Sequence, residues 1–467
     1  MAKSFHNIPS FVEAAIDCVS RAASSARMHR TQSLRVLRRY SIAEVTEFFG
    51  CDRSFVNALM KHPDAPEGEI RGRERTLSVH DIMKLRAIAD SRPEARRTTL
   101  YWRKPGEDLP VIVLSSQKGG VAKSLSSAHL AQYLTLYYGL RVGLIDGDPQ
   151  ATCSLYFVDD TTSIAGYDVE VYTDFMGVPE AGQREKIHHA PDRLNVFWRP
   201  TPWPGLRLIP GGAGIQEADI AMYYLTQTED PEQKKIYRML RDSLDRWRDA
   251  HPPRTTAKDL SGPDGRFRHE SYEAALKETL DVVIIDTPPS LTLATLNTIV
   301  AADTLIIPQT MKGFDLSTLH IYLASLRDYF SFIEGDTNPV KFKDAKPMIL
   351  PTIVNRSSDT DLRTIGEIMA GNPDIISPIY YQYSEGAANA FREFKSAYEY
   401  EPPKTRKASL QAFIDNANAV NDAIVMRAIP SLPARGYAQA FLERLFPDGE
   451  VEGWSQKAKP SLEEDAA

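Results

Sequence analysis

Residues 111–124, VIVLSSQKGGVAKS, decide how this chain folds. Val111 to Leu114 is an apolar run of strand character, and it ends in a polar stretch, a glycine pair and a lysine-serine step. A parallel strand that feeds a helix leaves the first N–H groups of that helix without partners and aims its positive end at the intervening loop, so a polyphosphate fits there. Gly119 and Gly120 let the backbone approach phosphate oxygens, Lys123 reaches the β/γ-phosphates, and the Ser124 hydroxyl can ligate Mg²⁺. Val121, Ala122 and Leu125 complete the expected nucleotide-binding set. The loop departs from GxxxxGK[ST] at two positions, with Gln117 in place of the first glycine and Ala122 in place of the last. Because Gly119 and Gly120 supply the tightest part of the turn, Ala122 is expected to be neutral.

Two more apolar runs end in acid. Arg141–Gln150, RVGLIDGDPQ, closes on Asp146 and Asp148, and Asp281–Ser290, DVVIIDTPPS, closes on Asp286. Further strand-like runs lie at 303–308 and 348–354, separated by helical stretches such as Ser124–Tyr138 and Asp315–Phe330. This alternation predicts an α/β fold, a mostly parallel sheet flanked by helices. Ligands of such sheets sit at the carboxyl ends of the strands, where all three motifs end.

The chain has 467 residues, enough for two or three domains. No apolar run approaches the roughly 20 residues of a membrane span, and the N-terminus, MAKSFHNIPSF, lacks an apolar signal core. Three scattered cysteines, Cys18, Cys51 and Cys153, support neither a disulfide framework nor a metal centre, so a cytoplasmic location is expected. Net charge is −7, but it is unevenly spread: residues 1–105 hold 19 Lys and Arg against 12 Asp and Glu, and the remainder 36 against 50. A basic N-terminal module on an acidic body points to nucleic-acid contact in the first hundred residues.

Residues 1–40 read as Arg-rich and helical, with Phe11, Ala15, Val19 and Ala22 at helical spacing, a region suited to dimerisation. From Ser41 the chain reads SIAEVTEFFG-CDR-SFVNALMKH, a capped helix closed by Gly50, a tight turn and a second helix. The charged loop GEIRGRERTLS and the helix VHDIMKLRAIAD follow, so 41–90 reads as an α-helical winged helix-turn-helix. Its DNA contacts are expected from Arg53, Ser54 and Asn57 at the start of the second helix and from Arg71, Arg73 and Arg75 of the wing. Residues 91–110 are aperiodic and charged and read as a linker, 111–430 as the nucleotide domain, and 431–467 as a C-terminal segment with a disordered tail. Within the nucleotide domain, 229–275 is out of pattern and reads as an insertion, a solvated charged helix followed by a mobile Pro/Gly loop.

The string K-G-G-V-A-K-S, with Lys118 five residues before Lys123, resembles the deviant Walker A loop of the ParA/MinD class of P-loop ATPases. Asp146–Gln150 resembles that class's switch I segment D-x-D-P-Q, and Asp281–Ser290 its Walker B and switch II segment. Together with the N-terminal reader, the likeness is to the larger ParA type, in particular the RepA partition proteins of repABC-like operons, over roughly residues 40–430. It implies an enzyme that binds ATP and Mg²⁺ and hydrolyses ATP slowly. Lys123 and Ser124 would serve phosphate and metal, Asp286 the metal through its water shell, Asp146 the metal side, and Asp148 the attacking water. Lys118 would reach the nucleotide of a second subunit in a homodimer. Ile353–Asp361, IVNRSSDTD, resembles the adenine-side segment, which makes Asn355 and Arg356 candidates for the base. The resemblance further implies nonspecific DNA binding by the ATP dimer, operator-specific repression of its own operon through the reader, stimulation by a ParB-like centromere-binding partner, and a nucleoid-associated place in the cytoplasm. Nothing in the tail resembles the membrane helix of the MinD branch. A nucleotide-regulated repressor with little turnover is the alternative; reductase or metal-delivery relatives lack support because paired cysteines are missing. Ala122, the 229–275 insertion and the acidic body depart from the class pattern.

Overall fold

A computed structural model describes residues 37–158, 169–335, 347–355, 359–384, 390, 395–401 and 403–445, with positions 12, 15 and 18. The expected helix at 1–40 and the tail beyond 445 lie almost wholly outside the described residues. Strand β1 (Tyr40–Ser41) leads into the helix Ile42–Phe49, started by a capping box in which Ser41 and Glu44 satisfy each other's backbone N–H. Gly50 ends that helix in a left-handed conformation, φ 63°, and three residues later the helix Arg53–Leu59 begins. Strands β2 (Glu69–Arg71) and β3 (Glu74–Leu77) form a hairpin, β3 also pairs with β1, and the helix Val79–Ser91 follows a second capping box at Ser78 and Asp81. These elements are compatible with the winged arrangement expected for 41–90.

The main sheet has seven strands in the order β10-β9-β4-β8-β5-β7-β6. They are β4 (Val111–Leu114), β5 (Val142–Asp146), β6 (Arg199–Pro200), β7 (Leu206–Ile209), β8 (Val282–Asp286), β9 (Thr304–Gln309) and β10 (Met348–Pro351). Every pairing is parallel except β6 with β7. Strands β4, β8 and β5 are central and buried on both faces, which is why they read as unbroken apolar runs. Register sets Leu114 against Asp286 and Asp286 against Asp146, so the loop and both acidic motifs leave the sheet at one edge.

Two expectations are corrected. The stretch read as a linker is packed: Asp90 accepts the backbone N–H groups of Thr99 and Leu100, the Trp102 indole donates to Gly139 O at 3.0 Å, and the backbone N–H of Arg103 donates to Asp281 at 2.8 Å. An extended segment that pairs through side chains has no periodicity to reveal its burial. The insertion's helix, Met239–Ala250, buries Met239, Leu240, Ser243, Leu244 and Trp247 at helical spacing, so only one face is solvated. After it, Leu260 and Phe267 pack with Met83, Ala87 and Ile88 of the Val79–Ser91 helix, and the loop there is a strap across the N-terminal elements. Phe267 N and Arg266 both donate to Asp64, and Lys258 donates to Arg92 O. Among the described residues no helix is long and apolar enough to cross a membrane.

Candidate nucleotide site

The loop between β4 and the helix Lys123–Tyr133 turns through two left-handed residues, Gly120 (φ 73°) and Ala122 (φ 64°, ψ 29°). Ala122 is therefore strained, contrary to its expected neutrality: the helix takes its start from Ala122 O, which accepts from Ser126 N at 2.9 Å, and this fixes the turn on the alanine itself. Gly119 and Gly120 are exposed, Val121 is buried and Leu125 partly buried. The Lys123 ammonium is curled into the loop, donating to Ser116 O at 3.0 Å and Lys118 O at 2.9 Å. Burial lowers its pKa, while Asp286 and Asp148 oppose that shift.

Asp286 is fully buried at the end of β8. Its Oδ1 accepts from the Ser127 hydroxyl at 3.2 Å, and its Oδ2 has no hydrogen-bond partner. Burial, then the neighbouring Asp146, push this carboxyl upward, against Ser124 and Lys123 beside it. A buried carboxylate oxygen left unpaired beside a serine hydroxyl at a helix N-terminus is a donor set for a hard cation, which takes oxygen ligands. The described residues hold no group of three or more carboxylate, histidine or cysteine side chains able to hold a metal alone, so substrate phosphate and water would complete a shell.

Asp146 is held on both oxygens: Oδ2 accepts the backbone N–H and hydroxyl of Ser154, each at 2.7 Å, and Oδ1 accepts Asp148 N at 3.1 Å. Burial raises its pKa against those bonds. Asp148 accepts Gln150 N at 2.8 Å through Oδ1. The Ser154 hydroxyl also accepts Gly211 N at 3.0 Å, and a β-carbon at Gly211 would stand 2.4 Å from Asp148 O, so this crossing requires glycine.

Lys123, Ser124, Asp146, Asp148 and Asp286 thus converge. The Lys118 side chain turns away, donating to the Thr310 hydroxyl at 3.1 Å and ion-pairing with Asp315. Asn355 is exposed, its backbone N–H donating to Asp361 at 3.2 Å, and Arg356 lies outside the described residues. Arg53, Ser54 and Asn57 are exposed on the helix whose Val56 and Leu59 are buried, and Arg71, Arg73 and Arg75 are exposed on the hairpin. Arg71 is paired with Glu69 and Glu401. Sequence reasoning missed Ser127, Ser154, Gly211, Thr310 and Asp315. The glycine pair after β7, LIPGGAG, carried a signal for Gly211; nothing local marked the others.

A family model described as the CobQ/CobB/MinD/ParA nucleotide binding domain matches residues 112–373. A relative that carries the name replication protein A, from Sinorhizobium fredii, is 25% identical over 399 residues, 84% of this chain and 86% of its own. Protein SopA of Escherichia coli is 27% identical over 315 residues, 65% of this chain and 66% of its own, and the chromosome partitioning protein ParA of Caulobacter vibrioides is 28% identical over 231 residues, 50% and 66%. A solved structure called a partition protein shares the fold at a TM-score of 0.52 and 18% identity, covering 83% of this chain and 97% of that one.

Proposed function

The chain belongs to the CobQ/CobB/MinD/ParA nucleotide-binding family, in its ParA-like plasmid-partition branch, and on that premise we propose that it is an ATP-hydrolysing DNA partition protein that also represses its own operon. The observation that carries the proposal is the convergence of Lys123, Ser124, Asp148 and Asp286 at one edge of three adjacent strands. Its substrate is ATP; Mg²⁺ would be held by the Ser124 hydroxyl and, through its water shell, by the unpaired oxygen of Asp286, and would supply positive charge against the phosphate oxygens. Lys123 exchanges the carbonyls of Ser116 and Lys118 for β/γ-phosphate oxygens. Gly119, Gly120, Val121, Ala122 and Leu125 form the phosphate cradle, and Asn355 and Arg356 flank the base. Asp148 orients the attacking water, and Asp146, which holds the backbone N–H of Asp148, keeps that carboxylate in place. Lys118 leaves Asp315 and reaches the nucleotide of a second copy, closing a homodimer.

The ATP dimer binds DNA nonspecifically, and Arg53, Ser54, Asn57, Arg71, Arg73 and Arg75 read the operator. A ParB-like centromere-binding partner stimulates slow hydrolysis, in a nucleoid-associated cycle in the cytoplasm. Phosphate release measured with and without DNA and a ParB-like protein tests the reading, together with Asp148→Ala. That variant is expected to bind Mg·ATP, lose turnover and accumulate as a DNA-bound dimer; rapid steady-state hydrolysis by it would move the water-orienting role elsewhere. A second reading, a nucleotide-regulated repressor with little turnover, draws on the strained Ala122 in the cradle and is favoured if turnover stays negligible in the presence of both DNA and partner.

A further inference from the structure

The phosphate-loop helix does not end at Tyr133. It runs on through a π-helical turn, Leu134–Tyr138, and stops at Gly139, φ 68°. Sixteen residues at helical rise span about 24 Å, so the phosphate site and this turn are opposite ends of one rod. Against the far end stands the C-terminus of the reader's first helix, Ile42–Phe49. Two helix C-termini that face each other bring unpaired carbonyls and two negative dipole ends together, an arrangement that needs cations.

Two arginines fill the gap. Arg86, fully buried, donates to Phe48 O of the reader helix at 2.6 Å, to Leu136 O of the π turn and to Thr99 O. Arg435 donates to Phe49 O at 3.5 Å and to Tyr137 O. Each guanidinium thus holds one carbonyl from each helix. The Phe48 ring meets Tyr137 edge-on at 5.0 Å, and Arg86 lies over Phe49 at 4.2 Å. A β-carbon on Gly50 would stand 2.7 Å from the Arg435 guanidinium, so the reader helix closes directly against this bridge.

We propose that the arginine pair Arg86 and Arg435, bridging the π turn to the reader helix, is the element through which occupancy of the phosphate loop alters operator binding. The inference rests on the proposed nucleotide and operator binding; what it adds is the route. Phosphate would fix the near end of the rod through Lys123 and the loop around it. The π turn carries one residue more than an α-turn, and reabsorbing that surplus would rotate the Leu136 and Tyr137 carbonyls about the axis. The arginines carry that rotation into Phe48 and Phe49.

ADP is the probe, because it occupies the loop without the γ-phosphate that the proposed dimer needs. Binding of the full-length chain to a duplex from upstream of its own reading frame is measured with and without ADP, and ADP binding with and without duplex. The expected wild-type shift is threefold or more, equal in both directions by linkage. Arg435→Met is expected to keep each separate affinity within twofold and to reduce the shift below 1.5-fold. Arg435→Lys, which keeps the charge but cannot span both carbonyls as a guanidinium does, is expected between the two and serves if the Met variant fails to fold. A wild-type shift below 1.5-fold with both ligands bound, or an undiminished shift in Arg435→Met or Arg435→Lys, overturns the coupling alone. Failure of the wild-type chain to bind either ligand overturns the functional reading and the coupling with it.

Discussion

Ala122 occupies a left-handed turn that glycine fills more readily. If the loop keeps this turn around phosphate, the strain cancels in the binding equilibrium and remains as a folding cost. Left-handed alanine costs about 1–2 kcal/mol, offset by about 0.5–1 kcal/mol because glycine loosens the unfolded chain. Ala122→Gly is therefore expected to raise stability by roughly 0.5–1 kcal/mol in urea unfolding while leaving ATP affinity within about threefold; a tenfold tightening in calorimetry would show that the loop changes conformation on binding. The two lysines are expected to separate in the same assays. Lys123→Ala loses the phosphate contact and most ATP affinity, whereas Lys118→Ala, whose side chain rests on Thr310 and Asp315, still binds ATP but stays monomeric in sedimentation. An ATP-induced dimer of the Lys118 variant would remove its cross-subunit role.

Among the elements, the helix Arg53–Leu59 buries Val56 and Leu59 and leaves Arg53, Ser54 and Asn57 outward. Base-edge contacts from such positions are worth about 1–3 kcal/mol each. Asn57→Ala is accordingly expected to weaken operator binding about five- to hundredfold with little change on unrelated DNA. Arg73→Ala, an exposed hairpin cation, is expected to weaken both and to flatten the salt dependence by about one counterion. Equal losses on both DNAs for Asn57→Ala would make that residue a backbone contact. The Ser41 cap was legible in advance, whereas the reciprocal bonds of Ser41 with Glu44 and of Ser78 with Asp81 came from the structure. The short strands β6 and β7 were not, since two and four residues beside Trp203 and Pro204 give no alternation to count.

At the scale of the molecule, the N-terminal elements are seated on the body rather than tethered to it. Leu260 of the strap is fully buried against the Val79–Ser91 helix, so Leu260→Ala is expected to cost about 3 kcal/mol and to open the 251–268 strap to limited proteolysis before the sheet core. Coincident loss of both would mean that reader and sheet unfold as one unit. His129 lies elsewhere, on the phosphate-loop helix, where its ring meets Tyr398 and Phe413. Its Nε2 accepts the backbone N–H of Ala397 at 3.1 Å, so that nitrogen carries no proton, and burial pushes its pKa down to about 3. The unfolded chain takes up a proton below about 6.5 and the folded chain does not until far lower, so stability is full above that pH and falls as pH drops through the window. A loss of about 2 kcal/mol is expected from this group between pH 7.5 and 5, and His129→Gln should remove that part of the slope in urea titrations.

The sequence alone determined the edge that carries the phosphate loop, because buried parallel strands must be apolar end to end and their carboxyl ends must carry the loop, Asp146 and Asp286. It also determined the helices on either side of Gly50, whose periodicity, with the Ser41 cap of the first, is local. Only the tertiary structure decided what depends on residues far apart in the chain: the rest of Lys118 on Asp315, the Ser154–Gly211 support of Asp146, and the packing of the apparent linker and insertion around the reader. Each of those is a pairing across at least 57 residues or an extended segment held by side chains, except the eight-residue step from Asp146 to Ser154, and such pairings leave no period in the sequence. Ala122 shows the same limit within a single turn: its identity was plain, but its cost depended on φ, which the folded loop alone sets.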